Sequence, residues 1–208
     1  MPAYFSLVFE LNKTETAIKD FYNALFAAGL VFKSGFWIAE NESLDEIIEW
    51  NQEKLNHDYR LGINERFEHD YKQIELKFRG FSEVRLIVMN VTRASTFTFE
   101  LIVPEDDFFD TIKQGEVWSF PRKTKRMEKM KRLAKQIWLS TEVLAIQTAW
   151  ECSNYPPRAT HFSRKVKPQI EPFCIIKNTS VVKHCDLPYE EVGRGGVLIE
   201  DSDNWNFL

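Results

Sequence analysis

Cysteine is scarce in this chain: three among 208 residues, at positions 152, 174 and 185. An odd and widely spaced set offers no disulfide framework and points to a reducing compartment, so a cytoplasmic location is expected. Long apolar runs are missing too. No segment approaches the roughly 20 residues needed to cross a bilayer, and no membrane association is expected. The opening MPAYFSLVFELNK has no basic leader and its apolar run breaks at Glu10, so it does not read as a signal peptide. Internal repeats and low-complexity linkers are lacking. So are the Gly-x-Ser-x-Gly elbow and the His-Glu-x-x-His helix, which removes the best-marked hydrolase and metalloprotease signatures.

What is present is ordinary in bulk and uneven in detail. A hydrophobic fraction of 44% and a charged fraction of 28% are those of a globular domain long enough to bury a sizeable core. Phenylalanine stands out at 17, beside 6 Trp and 6 Tyr. The net charge of −4 conceals an asymmetry: residues 122–135 hold 8 Lys/Arg against 1 Asp/Glu, while residues 1–121 hold 12 against 21. An acidic body carries one basic stripe, a pattern that bears on partners rather than on fold.

Periodicity sets the element order. Phe5, Leu7, Phe9 and Leu11 alternate as in a half-buried strand, and Ile18, Phe21, Tyr22 and Leu25 recur at helical spacing until Gly29. A second strand is expected over 30–39, then a helix opened by the capping box Ser43/Glu46. Runs at 73–79, 83–92 and 96–103, joined by RGFS and RAST, suit a meander. Pro104 followed by three acids predicts a short helix ending at Gly115. A long helix over about 122–139 leads into VLAIQTAWE, and FCIIK and GGVLIE are later strands. The expected fold is α+β with a mainly antiparallel sheet, a strand–helix–strand opening and then a β-meander. It reads as a single domain over 1–208, with 115–122 the only candidate lobe boundary.

Four stretches invite a chemical reading, and each has a plainer one. The tripeptide His-Asp-Tyr occurs at 57–59 and again at 69–71. In a hairpin turning near Ile63 the two histidines face each other; if the preceding helix runs on to Gly62 they separate. Either way zinc needs three or four ligands, and these supply two. Cys152, His161, Cys174, His184 and Cys185 are metal-ligand types without metal-ligand spacing, so neither a metal nor a cofactor is expected. GRGGVLIED at 193–201 leads into a strand rather than a helix N-terminus, and so reads as a turn and not a phosphate loop. RGFSEVRL at 79–86 lacks the stacking aromatic of an RNA-recognition strand, having Ser82 and Glu83 there.

The basic stripe is amphipathic. Met127, Met130, Leu133, Ala134, Ile137 and Trp138 share one arc, with Arg122, Lys125, Lys129, Arg132 and Lys135 opposite. A sheet-packing helix with a solvated basic back is the plain reading, and a nucleic-acid-binding module on this helix is the sharper alternative. Acidic residues concentrate at Glu40, Glu42, Asp45, Glu46 and Glu49, and again at Glu105, Asp106, Asp107 and Asp110. Helix starts account for most of them, while paired carboxylates could also serve an enzyme with an unfamiliar acidic site. Phe108 and Phe109 lie inside the second cluster and Trp118 close by. Aromatic groups rimmed by acids make a docking patch for a basic partner, so Glu105, Asp106, Asp107, Phe108, Phe109 and Asp110 form the candidate interface.

YFSLVFELNKTETAIKDFYNALFAAGLVF, KRLAKQIWLSTEVLAIQTAWE and the ending GGVLIEDSDNWNF together resemble, in outline, the immunity proteins encoded beside bacterial polymorphic toxins. That resemblance implies a stoichiometric inhibitor that binds one cognate toxin domain and catalyses no reaction. A nuclease-type toxin, basic where it holds phosphates, is the expected partner.

Overall fold

The computed structural model describes residues 3–62, 72–114, 116–151, 153–163, 165–177, 182 and 186–201. Its centre is a nine-stranded antiparallel sheet. Strand β1 (Tyr4–Asn12) is followed by helix α1 (Ala17–Ala27), β2 (Val31–Phe36) and helix α2 (Leu44–Asn56). A meander follows as β3 (Gln73–Lys77), β4 (Val84–Met89) and β5 (Thr96–Pro104). The short strands β6 (Ile112–Gln114) and β7 (Val117–Ser119) pair only with each other. Helix α3 (Thr124–Ser140) then leads to β8 (Val143–Trp150), β9 (Phe173–Lys177), β10 (Tyr189–Gly193) and β11 (Gly196–Glu200). The sheet order is β10-β11-β9-β8-β1-β5-β4-β3-β2, so strands from both sides of residues 115–122 share one sheet.

Strand alternation assigns the two faces. Phe5, Leu7, Phe9 and Leu11 on β1, with Phe97, Phe99, Leu101 and Val103 on β5, enter one large core together with the buried residues of all three helices. The aromatic content is concentrated here: Phe21 of α1 stacks on Phe99 at 4.2 Å, and Phe5 meets Trp150 edge-on at 4.9 Å. The apolar arc expected on α3 is buried throughout, from Met127 to Trp138. The predicted capping box is present, the Glu46 carboxylate accepting from Ser43 N at 2.7 Å while Ser43 Oγ accepts from Glu46 N at 3.3 Å. Where α3 crosses β11 the approach is too close for any side chain: a Cβ at Gly196 would lie 2.2 Å from Trp138 Nε1.

Among the described residues no α-helix packs on the opposite face, and its residues are unusually polar. Ala149, Ser6, Ile102, Arg85 and Glu75 form one row across β8, β1, β5, β4 and β3. The next row holds Gln147, Val8, Glu100 and Ile87, and the third Ala145, Glu10, Thr98 and Met89. Part of this face is covered by the connection between β8 and β9. Ala159 N donates to Glu10 Oε2 at 2.6 Å, Arg158 Nη1 to the Thr96 carbonyl at 2.7 Å, and Gln147 Nε2 to the Pro157 carbonyl at 2.8 Å. A second, smaller core of Ala145, Cys174, Ile176, Val182, Val197 and Ile199 lies beneath it. Cys174 is thus a buried apolar filler.

Two local expectations change, and one open alternative is decided. Pro104 and its acids start only a 3-10 turn, Glu105–Asp107, because Asp107 turns inward and Phe108 is drawn into the core, after which the chain extends as β6. The strand expected over 30–39 stops at Phe36, where a tight turn over Trp37–Ala39 folds back onto Gly35. Helix α2 ends at Asn56 and not at Gly62, with Asp58 in the left-handed region at φ 55°. His69, His184, Cys152 and Cys185 lie outside the described residues. Among the described residues, no group of three or more His, Cys, Asp or Glu could hold a metal ion, and no helix is long and apolar enough to cross a membrane.

Candidate functional site

The six residues of the predicted patch divide into structural and surface groups. Asp107 is buried, and its Oδ2 accepts from both Ser82 N (2.7 Å) and Ser82 Oγ (2.9 Å), anchoring the loop between β3 and β4. Phe108 is fully buried, with its ring 4.8 Å from Phe5 and 5.8 Å from both Phe81 and Trp150. Phe109 is half-buried against Trp150 at 5.7 Å. Neither phenylalanine offers a free anchor. Asp106 and Asp110 are exposed, and Lys123 bridges them, donating to the Asp106 carbonyl at 2.8 Å and pairing with the Asp110 carboxylate at 3.2 Å. Glu105 is half-buried, and burial pushes its carboxyl up from the ordinary value, with Glu151 and Asp106 adding to the shift. Glu151 therefore extends the acidic patch, although it is 46 positions away in the chain (151 against 105).

Beyond Asp110 the aromatic surface reappears on the β6–β7 hairpin. Its root is pinned by Asp110 N donating to the Pro121 carbonyl (2.9 Å) and Lys123 N to the Phe108 carbonyl (2.7 Å). Lys113 pairs with Trp118, its ammonium 4.9 Å from the ring centre, and Ile112 and Val117 point to the opposite side. Every described residue of both strands is exposed, including Val117 at 69% and Trp118 at 54%, and Phe120 beyond β7 is exposed as well. A two-stranded ribbon with apolar groups on both faces has no core of its own.

The basic helix is more internal than its wheel suggests. Lys131 is 7% exposed and pairs with Glu128 and with Glu200 of β11, the latter at 2.7 Å. Lys135 pairs with Glu190, Lys129 donates to the Arg79 carbonyl and lies 4.0 Å over the Phe78 ring, and Arg126 lies 5.2 Å over the Phe81 ring. These cations cross-link α3 to β10, β11 and the turn after β3.

Sequence reasoning missed a second feature, an open groove of roughly 530 Å³ on the uncovered half of the helix-free face. Tyr4, Ser6, Trp37, Arg85, Glu100 and Tyr155 line it. Arg85 is only 8% exposed, with its guanidinium carbon 4.7 Å from the Tyr4 ring centre and 4.9 Å from that of Phe36. Its Nε lies 2.6 Å from Glu83 Oε1. Phe36 in turn stacks on Trp37 at 5.4 Å, completing a row of ring, guanidinium, ring, ring. Trp37 is 62% exposed and sits at φ 53°, a region non-glycine residues seldom occupy. Its turn is as tight as it can be, since a Cβ at Gly35 would fall 1.8 Å from the Ala39 carbonyl oxygen. Ser6 Oγ donates to Glu100 at 2.6 Å, and burial pushes the Glu100 carboxyl up from its ordinary value against the pull of that bond. Across the groove, Tyr155 Oη lies 3.0 Å from Thr98 Oγ1. One signal was present in the sequence: Arg85 and Glu100 are lone charges inside VRLIVM and TFTFELIVP, in phase with polar neighbours on β5.

Comparison of the chain with protein-family models, curated proteins and solved structures finds no match. Function therefore rests on these two surfaces.

Proposed function

We propose that this protein is an immunity-type inhibitor that binds a cognate bacterial toxin domain, of nuclease type, and catalyses no reaction. The observation that carries the reading is the β6–β7 hairpin, a ribbon with exposed Ile112, Val117 and Trp118 and with Asp106 and Asp110 at its root. Exposed apolar groups rimmed by charge mark interaction sites, and Trp is among the residues that dominate interface energetics. The aromatic anchors pass from Phe108 and Phe109 to Trp118 and Phe120, and of the four acids Asp106 and Asp110 are the exposed pair. Carboxylates beside such anchors suit a partner whose active site must hold phosphates, because they gain association rate and specificity against a basic surface. The competing reading, nucleic-acid binding along α3, has fewer free cations to draw on, since Lys129, Lys131 and Lys135 have internal partners. An enzyme with an acidic site would draw on Glu105 and Glu151, which interact, Glu151 also lining the groove.

The test is binding to the toxin domain encoded by the neighbouring reading frame. Asp106→Lys with Asp110→Lys, and separately Trp118→Ala, should each weaken the complex by more than about tenfold, with the charge effect shrinking at high salt. Wild-type affinity in both variants, with the fold intact, would remove the hairpin from the interface.

A further inference from the structure

Independently of the docking reading, we propose that the groove on the helix-free face is a binding site for an organic carboxylate with an apolar or aromatic body, its acid group held by Arg85. The volume and the lining, aromatic walls with polar groups from Ser6, Arg85 and Glu100 between them, are those of a small-molecule site. Arg85 is the decisive residue. Its guanidinium carbon lies 4.7 Å from the Tyr4 ring centre and 4.9 Å from that of Phe36, contacts that restrain the side chain before any ligand arrives and leave less entropy to be lost. Glu83 Oε1 forms an ion pair at Nε, 2.6 Å away, yet the buried Nε–H makes no hydrogen bond to it. The edge formed by Nη1 and Nη2 has no hydrogen bond to a described residue, and that edge matches a carboxylate through two parallel bonds.

Two carboxyls line the groove with Arg85: Glu100 on its floor and Glu151 at its end. Glu100, the carboxyl on the groove floor, is partly withdrawn from water, takes a hydrogen bond from Ser6 Oγ, and gives up its charge more readily than a surface glutamate. An incoming carboxylate therefore meets less repulsion there than the sequence suggests. Trp37 and Tyr155 are exposed at 62% and 51% on the groove lining and supply flat apolar walls for the body of the ligand. The positive φ of Trp37 gives a further reason, since backbone held in a sparsely populated region clusters at ligand clamps. No group-transfer step is implied; the site binds.

The experiment uses the full chain and three probes of one shape: 3-phenylpropionate, its neutral amide 3-phenylpropanamide, and the cation 2-phenylethylammonium. Backbone amide NMR should show the acid perturbing groove residues with a dissociation constant on the order of a few millimolar, the range fragments of this size reach. The amide and the cation should bind at least about tenfold more weakly. Arg85→Lys keeps the charge but loses the paired donors, and should weaken the acid by about tenfold or more while circular dichroism stays unchanged. If Arg85→Lys fails to fold, Trp37→Ala, at an exposed position, should still weaken the acid severalfold. Equal binding of acid and amide, or no perturbation by the acid at about 20 mM, several times the range expected for such fragments, overturns the proposal. A blocked peptide, Ac-Ala-Phe-Asp-Ala-NH2, tests the other source of the same chemistry. Should it bind while 3-phenylpropionate does not, the groove docks protein side chains and the small-acid site is wrong.

Discussion

Trp138 Nε1 donates to the Gly193 carbonyl at 3.1 Å, and its ring lies against the backbone of Gly196 with no room for a methyl group. Helix α3 is thereby fixed to the turn between β10 and β11. Gly196→Ala forces the helix off the sheet or the indole out of its seat, at an expected cost of about 1–3 kcal/mol. Urea denaturation should show a lower midpoint with an unchanged slope. A wild-type midpoint would mean that the contact yields freely.

Ile137 is fully buried on the same helix, whereas Lys125 is exposed. Ile137→Asp places an unpaired carboxylate in the core and costs several kcal/mol, enough to unfold much of the population at room temperature. Lys125→Glu should change stability by less than about 0.5 kcal/mol. Circular dichroism melts of the two variants check both outcomes.

The long strands and helices were readable because burial repeats with the period of the backbone. Phe5, Leu7, Phe9 and Leu11 are all buried, as their alternation requires, and so is the α3 arc. The Ser43/Glu46 pair was readable for another local reason, since both halves of a capping box lie within four residues. The turn after Pro104 was not. Its three acids look like a helix start, yet Asp107 is claimed by Ser82, 25 residues earlier, and Phe108 by Phe5. The groove was still further out of reach. It draws Tyr4, Trp37, Arg85, Glu100 and Tyr155 from five separate segments, and no spacing rule joins them. Only the isolated charges of Arg85 and Glu100 within apolar strands hinted at it.

Glu100 sets a pH dependence of stability. Burial raises its carboxyl in the folded protein, so the fold keeps this proton to higher pH than the unfolded chain does. The favourable contribution is complete below the ordinary carboxylate range and is lost as pH rises through the raised value. Glu100→Gln cannot ionise. Its stability relative to wild type should therefore increase from acid toward neutral pH, read from urea midpoints across that range. A difference that does not vary with pH would show that Glu100 is well solvated.

Asp58 works in the opposite sense. The Lys13 ammonium 2.5 Å away, with the Arg93 N–H at 2.7 Å, holds its carboxyl down to about 2. Its contribution is present above the ordinary aspartate range and is lost as pH falls through about 2. Carboxyl-carbon NMR should find Asp58 ionised well below the other aspartates. In Lys13→Met its titration should move up toward the ordinary value, and no movement would assign the shift to the backbone donors.

Strand β1 has a consequence for the order in which the protein can be made. It leaves the ribosome before every other described strand, yet it lies in the middle of the sheet. Its bond to Glu100 spans 94 residues, and its bond to Glu151 spans 147. Neither neighbouring strand exists while Phe5, Leu7 and Phe9 are already waiting with both edges open. Pairings this distant are slow to close, and unpaired strand edges invite association with other chains. A nascent chain stopped before residue 143 lacks the whole of β8 and keeps one edge of β1 bare, so the growing polypeptide depends on shielding until β8 has been synthesised.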